Sequence, residues 1–114
     1  MAPPYAPDRG EVVWLQFTPL TGSERAGHRP ALVVSPQSYN RRVGLALVCP
    51  ITTQVTGSPF EVVLPPTLKA RGAILCDQLK SLDWRARAAT PFDVGPDGVM
   101  EEVTAKILAL VAPR

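Results

Sequence analysis

The chain has 114 residues and a formal net charge of +2, with 46% hydrophobic and 19% charged residues. This length predicts one domain over residues 1–114, and this composition excludes a disordered chain despite the 13 prolines. The small positive charge permits nucleic-acid binding without requiring it. The chain starts with no basic, apolar leader, and no run approaches the roughly 20 apolar residues of a membrane span. We therefore expect a cytoplasmic protein with no membrane partner.

The chain offers few ligands for a metal ion. It contains one histidine, His28, and two cysteines, Cys49 and Cys76, which lie in separate apolar runs. A free cysteine in such a run behaves as a small hydrophobe, and zinc usually takes four ligands from clustered cysteines and histidines. We expect two buried, reduced thiols, no metal site and no cofactor.

The N-terminal third has the pattern of two strands joined by a polar loop. Residues 11–17 are rich in β-branched and aromatic residues and predict a strand, in which Trp14 is expected to be a core residue. A second strand is predicted at 29–35 and is closed by Pro36. Two strands with a loop between them favour an antiparallel pair.

The middle of the chain predicts three more strands. The polar segment 36–42 is followed by the continuous apolar run 43–51, which is typical of a strand buried on both faces. Pro50 within this run predicts a bulge or an edge. Further strands are predicted at 60–64 and 73–77, with turns and a loop between them.

The C-terminal part predicts a last short strand at 89–94 and then a helix that starts at Pro96. The helix has apolar residues at three- and four-residue spacing, which predicts one face packed on the sheet. These residues are Val99, Val103, Ile107 and Leu110. Five or six short strands and one helix, without βαβ alternation, predict a mainly β fold: a small, strongly bent antiparallel sheet or barrel with a C-terminal helix.

A polar loop at 22–27, bracketed by glycines, leads into His28 and Arg29 at the start of the second predicted strand. Polar groups at a loop–strand junction are held by a rigid scaffold and stay open to a ligand. The alternative is an ordinary surface loop with a solvated end. Residues elsewhere in the chain have to decide between the two interpretations.

Four motifs, in this order and with matching spacing, resemble the MazF/PemK (Kid) toxins. They are Gly22-Ser23-Glu24 with Gly27-His28-Arg29-Pro30, then Pro50-Ile51-Thr52-Thr53-Gln54, then Pro59-Phe60-Glu61-Val62, and then Cys76-Asp77-Gln78-Leu79-Lys80-Ser81. The resemblance spans about residues 5–111. It implies an SH3-like, CcdB/Kid-type fold. It also implies a homodimeric, metal-independent endoribonuclease that cuts single-stranded messenger RNA and is neutralised by a cognate MazE-like antitoxin.

The positions that match the family's catalytic pair are Arg29 and Thr52. Cleavage of RNA without a metal uses the 2′-hydroxyl as nucleophile and builds negative charge on phosphorus, which preorganised donors must stabilise. A guanidinium stays charged and can donate two parallel hydrogen bonds to phosphate oxygens, so Arg29 fits this role. Thr52 can donate its hydroxyl proton to the same phosphate. The resemblance selects it over Thr53, which would project to the other face of an extended strand; ordinary β-propensity is the alternative for both.

Three other polar residues are candidates for proton transfer. His28 is expected to assist it or only to contact RNA. Glu24 is expected either to orient Arg29 or to help take the 2′-proton, and Asp77 could do either from its own strand end. Solvation at the surface is the alternative for both acids.

RNA contacts are predicted along the later strands. A groove that binds single strands combines cations for the phosphates with aromatic residues for the bases, and Trp84 lies among basic residues. The alternative for these basic residues is a solvated face. The predicted RNA-binding residues are Thr53, Gln54, Asp77, Lys80, Arg85 and Arg87.

Two other functions remain open. A non-catalytic toxin could poison a partner, as the related CcdB toxins do on a similar fold, and an SH3-like module could bind RNA or protein without cutting. The combination of His28, Arg29 and Thr52 argues against both, because binding alone needs no such set.

Overall fold

The computed structural model describes residues 4–17 and 27–113 of the chain. Within these ranges the chain forms seven strands, two α-helices and one short 3-10 helix, so the mainly β prediction with a C-terminal helix is confirmed. The elements in chain order are β1 (Glu11–Gln16), β2 (His28–Val33), α1 (Gln37–Val43), β3 (Ala46–Thr52), β4 (Glu61–Val63), β5 (Ala73–Leu75), the 3-10 helix (Cys76–Gln78), β6 (Lys80–Leu82), β7 (Thr90–Val94) and α2 (Asp97–Val111).

The strands form one sheet in the order β4-β5-β3-β2-β1-β7, with β6 paired to β3. Every pair is antiparallel, including the predicted pair of β1 and β2. In the described part of the chain β4 and β7 are the two ends of the sheet. Of the two forms predicted, bent sheet or barrel, the chain therefore adopts the open sheet.

Strand β3 is central and changes partner along its length. On one side it pairs with β2, and on the other side its residues 46–48 pair with β6 while Ile51 and Thr52 pair with β5. Pro50 lies between these two stretches, where its missing N–H is tolerated. Because Pro50 pairs in regular register with Ala31 on the β2 side, the prediction of an edge or bulge at this residue is wrong.

The sheet is buried on both faces. The cluster on the α2 side includes Val12, Leu32, Cys49, Ile74, Cys76, Val99 and Val103. The cluster on the opposite face includes Val13, Leu15, Ala31, Val33, Val48 and Trp84. Within α2, Val99 and Val103 are buried and Ile107 packs beside them, whereas Leu110 is 48% exposed. Three of the four apolar positions thus face the sheet, and the predicted contact at Leu110 is wrong.

The two cysteines are free, buried thiols, as predicted. Burial raises the pKa of Cys49 to about 12 and that of Cys76 to about 11, so both stay protonated at neutral pH. Within the described ranges no helix has the length and apolar character needed to cross a membrane.

The polar segment 36–42 contains most of α1, a helix that its composition does not indicate. Its support comes from Asn40, a fully buried side chain whose amide nitrogen donates to the carbonyl oxygens of Pro7 (2.8 Å) and Ser35 (3.0 Å). The helix ends at Gly44, which has a φ of 83°. Strand β3 consequently starts at Ala46 and not at residue 43.

Candidate active site

Arg29 and His28 are the first two residues of β2, and both are exposed. Pairing with β1 fixes their backbone, since His28 lies opposite Gln16 and Arg29 lies opposite Leu15. The buried residues that follow them belong to the two clusters of the core. Both side chains therefore leave the first residues of a rigid strand, while residues 22–26 of the predicted loop lie outside the described residues.

Arg29 and Thr52 lie on the same side of neighbouring strands. The pairing of β2 with β3 reaches Ala31 opposite Pro50. Two further residues in the same register bring Arg29 opposite Thr52, and residues two apart on a strand share a face. The pairing itself stops at Ala31 and Pro50, and beyond it Arg29 and Thr52 both line one open space.

This space is a cavity of about 410 Å³, a size typical of sites for small ligands. It brings together several predicted site residues from the two strands and from the segment that follows β3. Its lining is His28, Arg29, Pro30, Ile51, Thr52, Thr53 and Gln54.

The hydroxyl oxygen of Thr52 accepts the backbone N–H of Gln54 at 3.1 Å. A hydroxyl that accepts one hydrogen bond still carries its own proton to donate. The bond also ties the backbone of Gln54 to the last residue of β3. Thr52 can thus donate into the cavity while its oxygen is held in place.

His28 stacks on Trp14, with ring centroids 5.1 Å apart and planes at 28°. Trp14 is only half-buried and also contacts Phe92 at 5.0 Å. The prediction of Trp14 as a core residue is therefore wrong: its side chain is partly exposed and packs against His28 and Phe92.

A second cavity of about 290 Å³ continues from the first, because Thr52 and Gln54 line both. It extends to Asp77 and Gln78 in the 3-10 helix. Asp77 is exposed there. The structure thus brings this acid to the same depression as Thr52, although the two are far apart in the chain.

The three predicted cations are not among the residues that line these two described cavities. Lys80 is exposed at the start of β6. Arg85 is exposed, with its guanidinium carbon 4.7 Å from the centre of the Trp84 ring. Arg87 donates through Nη1 to the carbonyl oxygens of Gln16 (2.9 Å) and Phe17 (2.7 Å) at the end of β1.

The interpretation of Trp84 as an aromatic residue for RNA bases changes. Trp84 is 4% exposed and donates its indole N–H to the carbonyl oxygen of Asn40 at 2.9 Å, so it anchors α1 and offers no face to a base. Glu24 lies outside the described residues.

Sequence reasoning missed the role of two residues that support Thr52 and the segment after β3. Glu61 is a buried acid whose carboxylate binds the segment after β3. Gly72 packs directly on the backbone of Thr52. The available signals were an acid placed next to the apolar pair Val62 and Val63, and a glycine just before the predicted strand at 73–77.

The features that define the class of this protein are an open antiparallel sheet, a C-terminal helix, and a polar cavity where β2 begins and β3 ends. The family model described as PemK-like, MazF-like toxin of type II toxin–antitoxin system matches residues 8–111. The chain belongs to this family, which confirms the predicted resemblance.

The similarity to individual members covers nearly the whole chain. The chain is 47% identical over 107 residues to the endoribonuclease toxin MazF of Escherichia coli (strain K12), which covers 94% of this chain and 96% of that protein. It matches a crystal structure of MazF from Deinococcus radiodurans with a TM-score of 0.87 and 46% identity, over 96% of this chain and 100% of that one. A MazE–MazF complex from the same organism gives a TM-score of 0.87 and 43% identity, over 97% and 100% of the two chains.

Proposed function

We propose that this chain is a metal-independent, sequence-specific endoribonuclease toxin that cleaves single-stranded RNA, chiefly messenger RNA, in the cytoplasm. The observation that carries the proposal is the cavity shared by Arg29 and Thr52, where a charged donor and a hydroxyl donor converge from two strands. The relative of 47% identity is named an endoribonuclease toxin, which supports the same activity here.

The reaction follows from the donors in the cavity. The 2′-hydroxyl attacks the adjacent phosphorus and the bond to the 5′-oxygen breaks, which gives a 2′,3′-cyclic phosphate and a 5′-hydroxyl. Arg29 stabilises the charge that develops on the phosphate oxygens, and Thr52 donates to the same group. The 2′-proton passes to a base, for which His28, Glu24 and Asp77 are the candidates, and the leaving oxygen takes up a proton.

The RNA on either side of the cut bond extends beyond the first cavity. Thr53 contacts it at the edge of the first cavity, and Gln54 and Asp77 contact it along the second cavity, which continues from Thr52. Phosphates further along the RNA are bound by Lys80, Arg85 and Arg87. The contribution of these residues to RNA affinity weakens as the salt concentration rises.

The proposal includes two protein partners. The chain forms a homodimer, because 114 residues leave little surface in one protomer for both an RNA groove and an antitoxin site. A MazE-like antitoxin covers the groove near Arg85 and Arg87 with an acidic, partly disordered tail. Sedimentation of the free protein tests the dimer, and competition between antitoxin and RNA at several salt concentrations tests the shared groove.

Incubation of the pure protein with single-stranded RNA in excess chelator tests the activity. Mapped 5′-ends at a short recurring sequence would establish sequence-specific cleavage. Binding without cleavage would instead make the chain an RNA-binding module. Neither binding nor cleavage would favour a non-catalytic toxin.

A further inference from the structure

Glu61, the first residue of β4, is a charged side chain that the proposed reaction does not use. It is only 8% exposed. A buried carboxylate is costly unless hydrogen bonds replace its water. The partners that stabilise Glu61 therefore indicate what the residue is for.

Those partners all come from the segment that joins β3 to β4. Oε1 accepts the backbone N–H groups of Thr56 at 3.1 Å and of Gly57 at 3.0 Å. Oε2 accepts the hydroxyl of Thr56 at 2.6 Å. One carboxylate thus satisfies three donors on two successive residues of the loop.

The hydrogen bond from the Thr56 hydroxyl, together with those from backbone N–H groups, lowers the pKa of Glu61 below its ordinary value, although burial acts in the opposite direction. The side chain is consequently a full anion at neutral pH. Bonds from neutral donors to an anion are stronger than bonds between neutral groups.

The backbone of Glu61 is itself held by helix α2. Lys106 of α2 donates through Nζ to the backbone carbonyl oxygens of Pro59 (2.5 Å) and Glu61 (3.1 Å). Lys106 also pairs with Glu102 at 3.6 Å. Glu61 is therefore a fixed point on the scaffold, and the segment before it is held to that point.

The segment that Glu61 holds is the one that carries predicted RNA contacts. It leaves β3 at Thr52, which pairs with Ala73, and its next residues are Thr53 and Gln54. Glu61 lines the second cavity with Thr52, Gln54 and Thr56. One end of the segment is thus fixed by strand pairing and the other by the carboxylate.

We propose that Glu61 is a positioning residue for RNA binding: its carboxylate fixes residues 53–58 so that Thr53 and Gln54 face the RNA. This rests on the proposed function, and it concerns binding more than chemistry. Glu61 acts through Thr56 and Gly57, whereas Arg29 and Thr52 have their own support on β2 and β3.

Glu61→Gln tests the proposal with little change of volume. The amide replaces one acceptor oxygen by an NH₂ group, which meets N–H donors and cannot accept them. We expect KM for a cleavable oligonucleotide to rise about 10-fold while kcat changes less than about 3-fold, which is the pattern of lost uniform binding. Binding of a non-cleavable 2′-deoxy oligonucleotide should weaken by the same factor.

Two further variants complete the design. Glu101→Gln removes the same charge from an exposed position on α2 and should leave KM and binding unchanged. Thr56→Val removes the hydroxyl bond and keeps the backbone bonds, so it should raise KM in the same direction by a smaller factor. If Glu61→Gln does not fold, Thr56→Val decides, and an unchanged KM in that variant would overturn the proposal.

The remaining outcomes distinguish a failure of this inference from a failure of the proposed function. Wild-type protein that cleaves RNA, together with a folded Glu61→Gln variant of unchanged KM, would overturn this inference alone. A variant that lost kcat at constant KM would also overturn it, because Glu61 would then act on the chemical step. Wild-type protein that does not cleave RNA would overturn the proposed function, and this inference with it.

Discussion

Gly72 packs against the backbone of Thr52 so closely that a Cβ atom on Gly72 would lie 1.9 Å from the carbonyl oxygen of Thr52. The same atom would lie 3.0 Å from Cα of Thr53. Gly72 also has a φ of 108°, a conformation that side chains disfavour. The next residue, Ala73, pairs with Thr52 in the sheet. The position of Thr52 therefore depends on the absence of a side chain at Gly72, which precedes β5, on the side of β3 opposite to β2 and Arg29.

Gly72→Ala should reduce RNA cleavage about 100-fold, because the clash is with backbone and must displace the end of β3, and small misplacements of reacting groups cost about this much. Single-turnover cleavage at saturating enzyme is the measurement. Gly44→Ala is the matched control, since Gly44 has a φ of 83° with nothing within 4 Å of a built Cβ. It shares the backbone strain without the clash and should retain activity. Equal losses in both variants would show that strain alone, and not the contact with Thr52, matters.

Arg29→Ala should abolish most cleavage and leave the fold intact, because Arg29 is exposed at a strand end. Removal of one preorganised charged donor costs about 100- to 1,000-fold in rate. The rate is measured beside Arg42→Ala, which removes an exposed arginine from α1. We expect the Arg42 variant to cut at the parent rate. An Arg29→Ala protein that did the same would remove Arg29 from the mechanism.

The strand pattern of the sequence predicted much of this site, because β1, β2 and β3 follow from alternating or continuous apolar runs. Arg29 and Thr52 were selected as a pair by the resemblance to the MazF/PemK toxins, and the register then explains why both lie on the same side of neighbouring strands. Strand β6 was missed because it has only three residues, two of them polar and exposed, which are too few to show the alternating hydrophobic pattern of a strand. Such a strand exists only through its pairing with β3.

The remaining differences concern residues whose role is set by hydrogen-bond partners that the hydrophobic pattern of the sequence does not indicate. From the sequence alone Asn40 would be expected at the surface, yet it is buried and its amide nitrogen donates to the carbonyl oxygens of Pro7 and Ser35. Trp84 reads as a stacking platform among arginines, yet it packs under α1. Glu61 reads as an ordinary strand residue until its loop partners are known. The contacts of Asn40 with Pro7 and Trp84 span 33 and 44 residues. Those of Asn40 with Ser35 and of Glu61 with Thr56 span five, which matches neither the helical nor the strand period.

Thr52→Val should lose far more activity than Thr53→Val, since only residue 52 shares a strand face with Arg29 by register. Valine keeps the shape and the β-branch of threonine, so the comparison isolates the hydroxyl. We expect roughly a 10- to 100-fold loss in kcat for Thr52→Val, on the scale of a lost hydrogen-bond donor at a transition state. The kcat values of the two variants are compared on one oligonucleotide. Equal losses would contradict the face assignment.

Asp93 should make the fold sensitive to acid. Burial alone would raise its pKa, but hydrogen bonds from the backbone N–H groups of Val94, Lys69 and Ala70 outweigh it and lower the pKa. A pKa that is lower in the folded state stabilises the folded protein at pH values above the unfolded-state pKa. This stabilisation is lost as the pH falls through the folded-state pKa.

Thermal unfolding of Asp93→Asn beside the wild type, from pH 7 down to pH 2, tests this. The variant should have the lower Tm at pH 7, and the gap should narrow as the pH falls below the ordinary aspartate pKa of about 4 and then through the lower folded-state pKa of Asp93. A gap of constant size over the whole range would mean that the charge of Asp93 contributes nothing.

The central claim is that the substrate's own 2′-hydroxyl is the nucleophile at the cavity of Arg29 and Thr52. The most direct measurement uses an oligonucleotide with a single 2′-deoxy sugar just before the cut bond, beside its all-RNA parent, in excess chelator. The claim predicts that the substituted strand binds almost as well, because phosphate and stacking contacts are unchanged, and is not cut, while the parent yields a 2′,3′-cyclic phosphate. Cleavage of the substituted strand, or a strict requirement for a metal, would contradict it.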